Sequence, residues 1–281
     1  MKNYLVIAAL VAALVACSNT QKDEPKQART VVFRVSGFDV ETEVMEVAGR
    51  RGAPILDDEN GTALTDLYVF DGTEQLAHQT SDAADFGTVT LNLAQGAHSL
   101  SFIATRSSGI GYADGKMTFT SIRPTFGKLV PLTVSGTTAA QSVVLDRLTG
   151  QLVVTINDAF PADADEIAFT IAPRYEALDV ATLCGTDGMS KTFRVSCADK
   201  VCYIGQTYTI NTLAPSLTDE YTADVSITVY NAGGTAIHSV ALTSVRMAGN
   251  TKTMLSGNLF AGSNANVTVN HGWNSDIVGT F

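Results

Sequence analysis

From residue 30 onward, apolar and polar residues alternate along much of the chain with a period near two. The segment 87–93 is the clearest case, because polar residues separate three apolar ones at Val89, Leu91 and Leu93. Side chains on a strand point alternately to opposite faces, so the pattern predicts strands with one buried face. Further strands are predicted at 30–38, 64–70, 97–105, 142–145, 151–157, 166–172, 207–213, 222–230, 236–245, 253–260 and 266–270.

Turn residues separate these segments. Asp71-Gly72 directly follows the segment 64–70, and such dipeptides are typical of tight β-hairpins. Short strands at this spacing predict an all-β chain built of β-sandwiches. We expect one short helix, within 174–190 and centred on residues 175–183.

The N-terminus departs from this pattern. Lys2 precedes an uncharged, mostly apolar run over 4–16, which is too short to cross a bilayer of about 30 Å and suits the core of a signal peptide. The run ends in Leu14-Val15-Ala16-Cys17, which resembles the lipobox of bacterial lipoproteins. The resemblance implies that residues 1–16 are removed and that Cys17 is acylated. The alternative is an ordinary secretory signal with a chance cysteine.

Residues 17–28 are polar and read as a flexible tether. Within it, Lys22-Asp23-Glu24 resembles the export signal that sends some lipoproteins of Bacteroidia to the outer face of the outer membrane. A chance triplet is the alternative. We therefore expect a lipid-anchored, surface-exposed protein of the outer membrane.

Composition narrows the classes of partner and the number of domains. The 281 residues carry a formal net charge of −10, which would repel the phosphates of nucleic acid and the headgroups of anionic lipid. Attachment to the membrane must then come from the acyl chains. The length suits two domains, predicted at 29–146 and 147–281, because a small polar stretch at 135–138 precedes a fresh strand pattern.

Candidate catalytic and metal-binding groups are sparse. The four histidines show no metal-ligand spacing, and none has a recognisable Ser or Cys partner: His78, His98, His238 and His271. We therefore expect no enzyme activity, no cofactor and no metal. Besides Cys17, Cys184, Cys197 and Cys202 remain, which permits at most one disulfide. Cys184–Cys202 and Cys184–Cys197 are the pairings considered, with free thiols as the alternative.

Three stretches together resemble the fimbrillin superfamily, the subunits of type V pili and their anchor proteins. They are Leu67-Tyr68-Val69-Phe70-Asp71-Gly72, Leu145-Asp146-Arg147-Leu148-Thr149-Gly150-Gln151, and Asn250 to Phe260 with Trp273 shortly after. The match is not complete. Gly150-Gln151 stands where the family usually has Ala-Lys, and Gly249 stands where it usually has Arg.

The resemblance implies two transthyretin-like β-sandwich domains. It also implies assembly by strand complementation, in which a strand of one subunit fills a groove in the next. The implied partners are fimbrial subunits (pilins), and the implied role is a lipid-anchored anchor or accessory subunit. Arg50-Arg51 would be a site for trimming by an arginine-directed protease, with a plain solvated loop as the alternative.

A second function class is a surface glycan-binding lipoprotein of a polysaccharide-uptake system. It predicts exposed aromatic side chains on one face, for which the chain offers Trp273, Tyr112, Tyr203 and Tyr208. Capture of pilins from surface extracts separates the two classes, and a host ligand stays open under either.

Overall fold

A computed structural model describes residues 28–36, 64–136, 140–197, 202–260 and 265–267. Within these ranges the chain forms 18 β-strands and no α-helix, which confirms the predicted all-β class. Accordingly, these ranges contain no helix long and apolar enough to cross a membrane. Cys17, Arg50 and Arg51 lie outside the described residues.

Of the ten described strands of the first half, eight form two sheets. The ten strands are β1 (Arg29–Ser36), β2 (Asp66–Asp71), β3 (Glu74–Thr80), β4 (Thr88–Leu93), β5 (Gly96–Thr105), β6 (Gly111–Ala113), β7 (Lys116–Thr118), β8 (Thr125–Val134), β9 (Gln141–Val144) and β10 (Asp146–Arg147). A three-stranded sheet has the order β4-β1-β9, and a five-stranded sheet has the order β10-β8-β5-β2-β3. Their apolar faces pack on each other, with the rings of Phe33 and Phe102 5.1 Å apart.

The second half forms one large sheet that folds over into two layers. Its strands are β11 (Thr149–Ile156), β12 (Ala164–Asp179), β13 (Gly185–Ser196), β14 (Gln206–Leu213), β15 (Tyr221–Asn231), β16 (Ala236–Met247), β17 (Lys252–Gly257) and β18 (Ala265–Val267). Side chains of β12, β15 and β16 share one core with those of β11, β14 and β17. Between β12 and β14 the pairing is a single contact, Tyr175 with Leu213, so the sheet folds there into a sandwich.

A third hydrophobic cluster joins the two halves, and we call it the junction core. It includes Phe70, Ile103 and Met117 from the first half and Leu178 and Leu213 from the second. The hairpin β6–β7 belongs to the first half in sequence, yet β7 pairs with β12. The domain limit between residues 146 and 147 stays a prediction. The hairpin β6–β7 precedes that limit in sequence but belongs to the sheet that follows it.

The helix expected within 174–190 is wrong. Strand β12 runs through to Asp179, and β13 begins at Gly185. Along this part β12 has β13 on one side and β7 on the other, and the ladders with both strands satisfy its backbone groups. That pairing outweighs the weak helical preference of residues 175–183. The pattern also missed six of the described strands: β3, β6, β7, β8, β10 and β13. Of these, β3 and β13 are sheet edges whose exposed faces are polar.

The predicted pairing of Cys184 with Cys202, and its alternative with Cys197, are both wrong. The disulfide joins Cys197 to Cys202 with their Cα atoms 5.0 Å apart, and Cys184 is a free thiol. Cys184 immediately precedes β13 and Cys197 immediately follows it. Twelve extended residues separate their Cα atoms by roughly 40 Å, far beyond the reach of a disulfide.

Candidate functional site: the first strand and its groove

The first described strand lies in the middle of a sheet. On one side β1 pairs antiparallel with β4, from Arg29 opposite Leu93 to Arg34 opposite Thr88. On the other side its second half pairs in parallel with β9. The parallel partner is more than one hundred residues away in the chain, so the position of β1 is set by tertiary pairing and not by a local hairpin.

One face of β1 is buried in the core of the first half. Val31, Phe33 and Val35 point inward, and Phe33 is 0% exposed. Burying side chains of this kind contributes about 1.5–3 kcal/mol each. Without β1, the space between β4 and β9 would be a groove floored by core side chains, among them Leu91 and Phe102. We call this space the β1 groove.

The outer face of β1 is polar. Thr30 Oγ1 donates a hydrogen bond of 2.8 Å to Asn92 Oδ1 on β4. The two residues are direct cross-strand partners, so their side chains stand beside each other on the solvent face. This pair offers a place to fix β1 without touching the core.

β1 lies in the chain between the lipidation motif and the trimming motif. Toward the N-terminus it continues into the segment that contains Cys17, and toward the C-terminus into residues 37–63, which contain Arg50-Arg51. A cut after Arg50 or Arg51 would leave β1 held by non-covalent contacts alone. An uncut chain would keep the N-terminal segment attached to the sandwich whether or not β1 stays in its groove.

The last described strands are used within their own sheet. β17 pairs in parallel with β11 on one side, and on the other side β18 pairs with its last three residues. Leu255 on β17 is fully buried in the core of the second half. The two final strands that the structure describes, β17 and β18, are therefore both paired. His271 and Trp273 lie outside the described residues.

The described histidines have structural partners. His98 Nδ1 lies 2.6 Å from Asp71 Oδ2, and its Nε2 lies 2.8 Å from the Ala94 carbonyl oxygen. His78 stacks on Tyr68 at 4.1 Å between ring centroids, and His238 packs against Phe260. In the described ranges no group of three or more His, Cys, Asp or Glu side chains is placed to hold a metal ion.

The aromatic residues proposed for glycan stacking differ in exposure where the structure describes them, at Tyr112, Tyr203 and Tyr208. Tyr208 is 7% exposed and packs on Phe169 in the core, whereas Tyr203 is 56% exposed. Tyr112 is 36% exposed, and its ring packs on Phe70 in the junction core. The sequence prediction was wrong for Tyr208, because the alternation along β14 places it on the inner face with Ile210.

Comparison with known proteins finds solved structures that share this fold. No protein-family model matches the chain, and no curated protein matches it. Solved structures do match. A candidate adhesin of Bacteroides ovatus is 6% identical, with a TM-score of 0.51 over 85% of this chain and 88% of that chain. A candidate polysaccharide-binding protein of Bacteroides thetaiotaomicron is 14% identical, with a TM-score of 0.51 over 88% and 98%.

The fimbrial anchor protein Mfa2 of Porphyromonas gingivalis is also similar. It is 10% identical, and the match covers 90% of this chain and 100% of that chain with a TM-score of 0.48. Because that score is below 0.5, the fold follows from the first two structures. At such identities the likeness establishes the fold alone, and it confirms at that level the resemblance carried by the sequence.

Proposed function

We propose that the protein is a structural subunit of a cell-surface fimbria, an anchor or accessory component. An acylated Cys17 would hold it in the outer membrane, and it would accept a strand of a pilin in the β1 groove. The observation that carries the proposal is the placement of β1, a central strand with a buried apolar face whose flanking segments contain the lipidation and trimming motifs.

Acceptance of a strand proceeds by replacement of β1. An incoming strand would take over the backbone hydrogen bonds to β4 and β9, so those bonds change little between the two states. Apolar burial, at about 25 cal/mol per Å², then decides which strand is preferred. The incoming strand must carry apolar residues at alternate positions that fit the sites of Val31, Phe33 and Val35.

Retention of the lipid is compatible with this replacement. Displaced without a cut, β1 would become part of a longer tether between Cys17 and the sandwich. A cut after Arg50 or Arg51 would instead release β1 together with the lipid, as expected for a polymerising shaft pilin. We favour the uncut anchor, because the described final strands are already paired within their own sheet, which suits an acceptor more than a donor.

A reversible cross-link tests the replacement step. Thr30→Cys with Asn92→Cys, in a Cys184→Ser background, should form a disulfide that fixes β1 on β4. Under oxidising conditions the double variant should lose capture of pilins from surface extracts, and reductant should restore it. Thr30→Cys alone is the matched control and should capture pilins under both conditions. Equal capture by the locked and reduced forms would refute strand uptake in the β1 groove.

The anchor role is tested separately at the N-terminus. Mass spectrometry of the protein from membranes should find an acylated Cys17, and Cys17→Ser should leave the membrane fraction while keeping pilin capture. A mature chain that begins at Arg51 or Gly52 would contradict the anchor role and make the protein a polymerising pilin.

A further inference from the structure

A second candidate site shares no lining residue with β1, β4 or β9. The segment 119–123, which follows β7, lines a half-open depression of about 410 Å³ together with residues of β12, β13 and β14. Its polar lining includes Ser121, Arg123, Arg174, Glu176, Lys191 and Thr209. Both halves of the chain contribute to it, which explains why no short sequence motif pointed to this site.

The charge of the depression is opposite to that of the whole protein. Three cationic side chains and one carboxylate line it, whereas the chain as a whole carries −10. Glu176 partly neutralises two of the cations. Its carboxylate pairs with the Arg174 guanidinium and lies 3.4 Å from Lys191 Nζ. The excess positive charge is available to an anion from outside.

Arg174 gives the site a fixed positive charge. The residue is 4% exposed, its Nη2 donates to the Asn211 carbonyl oxygen at 3.1 Å, and the guanidinium covers the Phe193 ring at 4.8 Å. Among the residues that the structure describes, none forms a hydrogen bond with the buried Nε of Arg174. Burial lowers the pKa of Arg174 to about 10, so it stays charged at neutral pH. Because little solvent reaches this guanidinium, its charge is less screened and attracts an anion more strongly.

The same depression is also lined by side-chain donors that are available to a ligand. Arg123 is exposed, and among the described residues its side chain has no ion-pair partner. Within the same ranges, the hydroxyls of Thr120, Ser121 and Thr209 have no hydrogen-bond partner, although all three line the depression. Hydroxyl groups beside cations match the chemistry of a ring that carries both hydroxyls and a carboxylate.

We infer that this depression binds an acidic saccharide, with the carboxylate on Arg123 and Lys191 and ring hydroxyls on the threonine and serine side chains. An acidic peptide is the less suitable occupant. Peptides bind to sheets mainly through backbone hydrogen bonds to an edge strand. Although β13 is such an edge, the groups that this depression offers are side-chain donors, the cations and hydroxyls of its lining. The inference is independent of strand uptake at β1.

Titration calorimetry of the full chain tests the inference. The probes are a galacturonic acid trisaccharide, the neutral galactose trisaccharide and hexaglutamate. The acidic trisaccharide should bind, weaken as salt rises, and exceed both other probes. Arg123→Gln and Lys191→Gln should each weaken it by about tenfold, because each removes one charge-assisted hydrogen bond.

Matched variants outside the site separate local contacts from net charge. Arg246→Gln and Lys128→Gln remove the same charges elsewhere and should leave the affinity unchanged. The Thr30→Cys, Asn92→Cys lock should also bind normally, so failure of pilin capture and failure of saccharide binding are distinguishable. Equal binding of the neutral trisaccharide, tighter binding of hexaglutamate, or equal loss in the control variants would overturn the inference.

Discussion

Tyr208 illustrates how burial changes the chemistry of one residue. It is 7% exposed, with its ring 4.8 Å from that of Phe169. Burial raises the pKa of its phenol to about 12, and charge on Tyr203 adds to the effect. The neutral phenol is therefore favoured in the folded state, while the unfolded chain ionises near pH 10.

This difference makes stability depend on alkaline pH. Below pH 10 both states hold the proton, and between pH 10 and 12 only the folded state does, so rising pH favours unfolding. Tyr208→Phe removes this contribution. Between pH 9 and 11.5 the free energy of unfolding of the wild type should fall by about 2 kcal/mol more than that of the variant. Urea denaturation measures both, and parallel pH curves would contradict the prediction.

At the scale of elements, β13 shows how an edge strand is secured. Of the described strands only β12 pairs with it, and its solvent-facing residues add little apolar burial. The disulfide between Cys197 and Cys202 holds the connection where β13 ends and the chain returns toward β14. A short covalent loop of this kind restricts the unfolded chain more than it strengthens the folded one.

Loss of that link should lower stability by a predictable amount. Closing a loop of this length contributes about 2 kcal/mol in the chain-entropy model, so Cys197→Ser with Cys202→Ser should lower the free energy of unfolding by that amount. Cys184→Ser is the control and should change it by less than about 0.5 kcal/mol. Urea denaturation under oxidising conditions checks both. A reductant that shifts the midpoint of the double variant as much as that of the wild type would refute the prediction.

At the scale of the whole molecule, the junction core couples the two halves. The hairpin β6–β7 adds a strand from the first half to the sheet of the second, and Met117 on that hairpin is fully buried. Apolar surface from both halves is therefore removed from water in one shared cluster. The polar depression, whose lining also comes from both halves, depends on this junction.

A single substitution tests the coupling. Leu178→Ala, at a fully buried position of the junction core, should lower the free energy of unfolding by about 2–5 kcal/mol. Leu217→Ala is the matched control, because Leu217 is 47% exposed, and its cost should stay below about 0.5 kcal/mol. Wild-type unfolding should be one transition by calorimetry and by tyrosine fluorescence. Two separated transitions would show that the halves unfold independently.

The sequence by itself determined the class of fold and most of the strands. The alternation of Val89, Leu91 and Leu93 identified the buried face of β4, and the segment 30–38 identified β1. These predictions succeed because the direction of a side chain on a strand depends on its immediate neighbours in the chain. The motifs at Cys17 and Arg50-Arg51 are also local, and they remain predictions of the sequence.

Tertiary structure decided which strands are neighbours. It placed β1 between β4 and β9, paired Cys197 with Cys202, and put Arg123 and Arg174 in the lining of one depression. The local pattern of the sequence does not encode these placements. Backbone hydrogen bonds are the same for almost any residue, so they do not specify a partner. The partner is selected when apolar faces from distant segments fill one core, and that packing exists only in the assembled molecule.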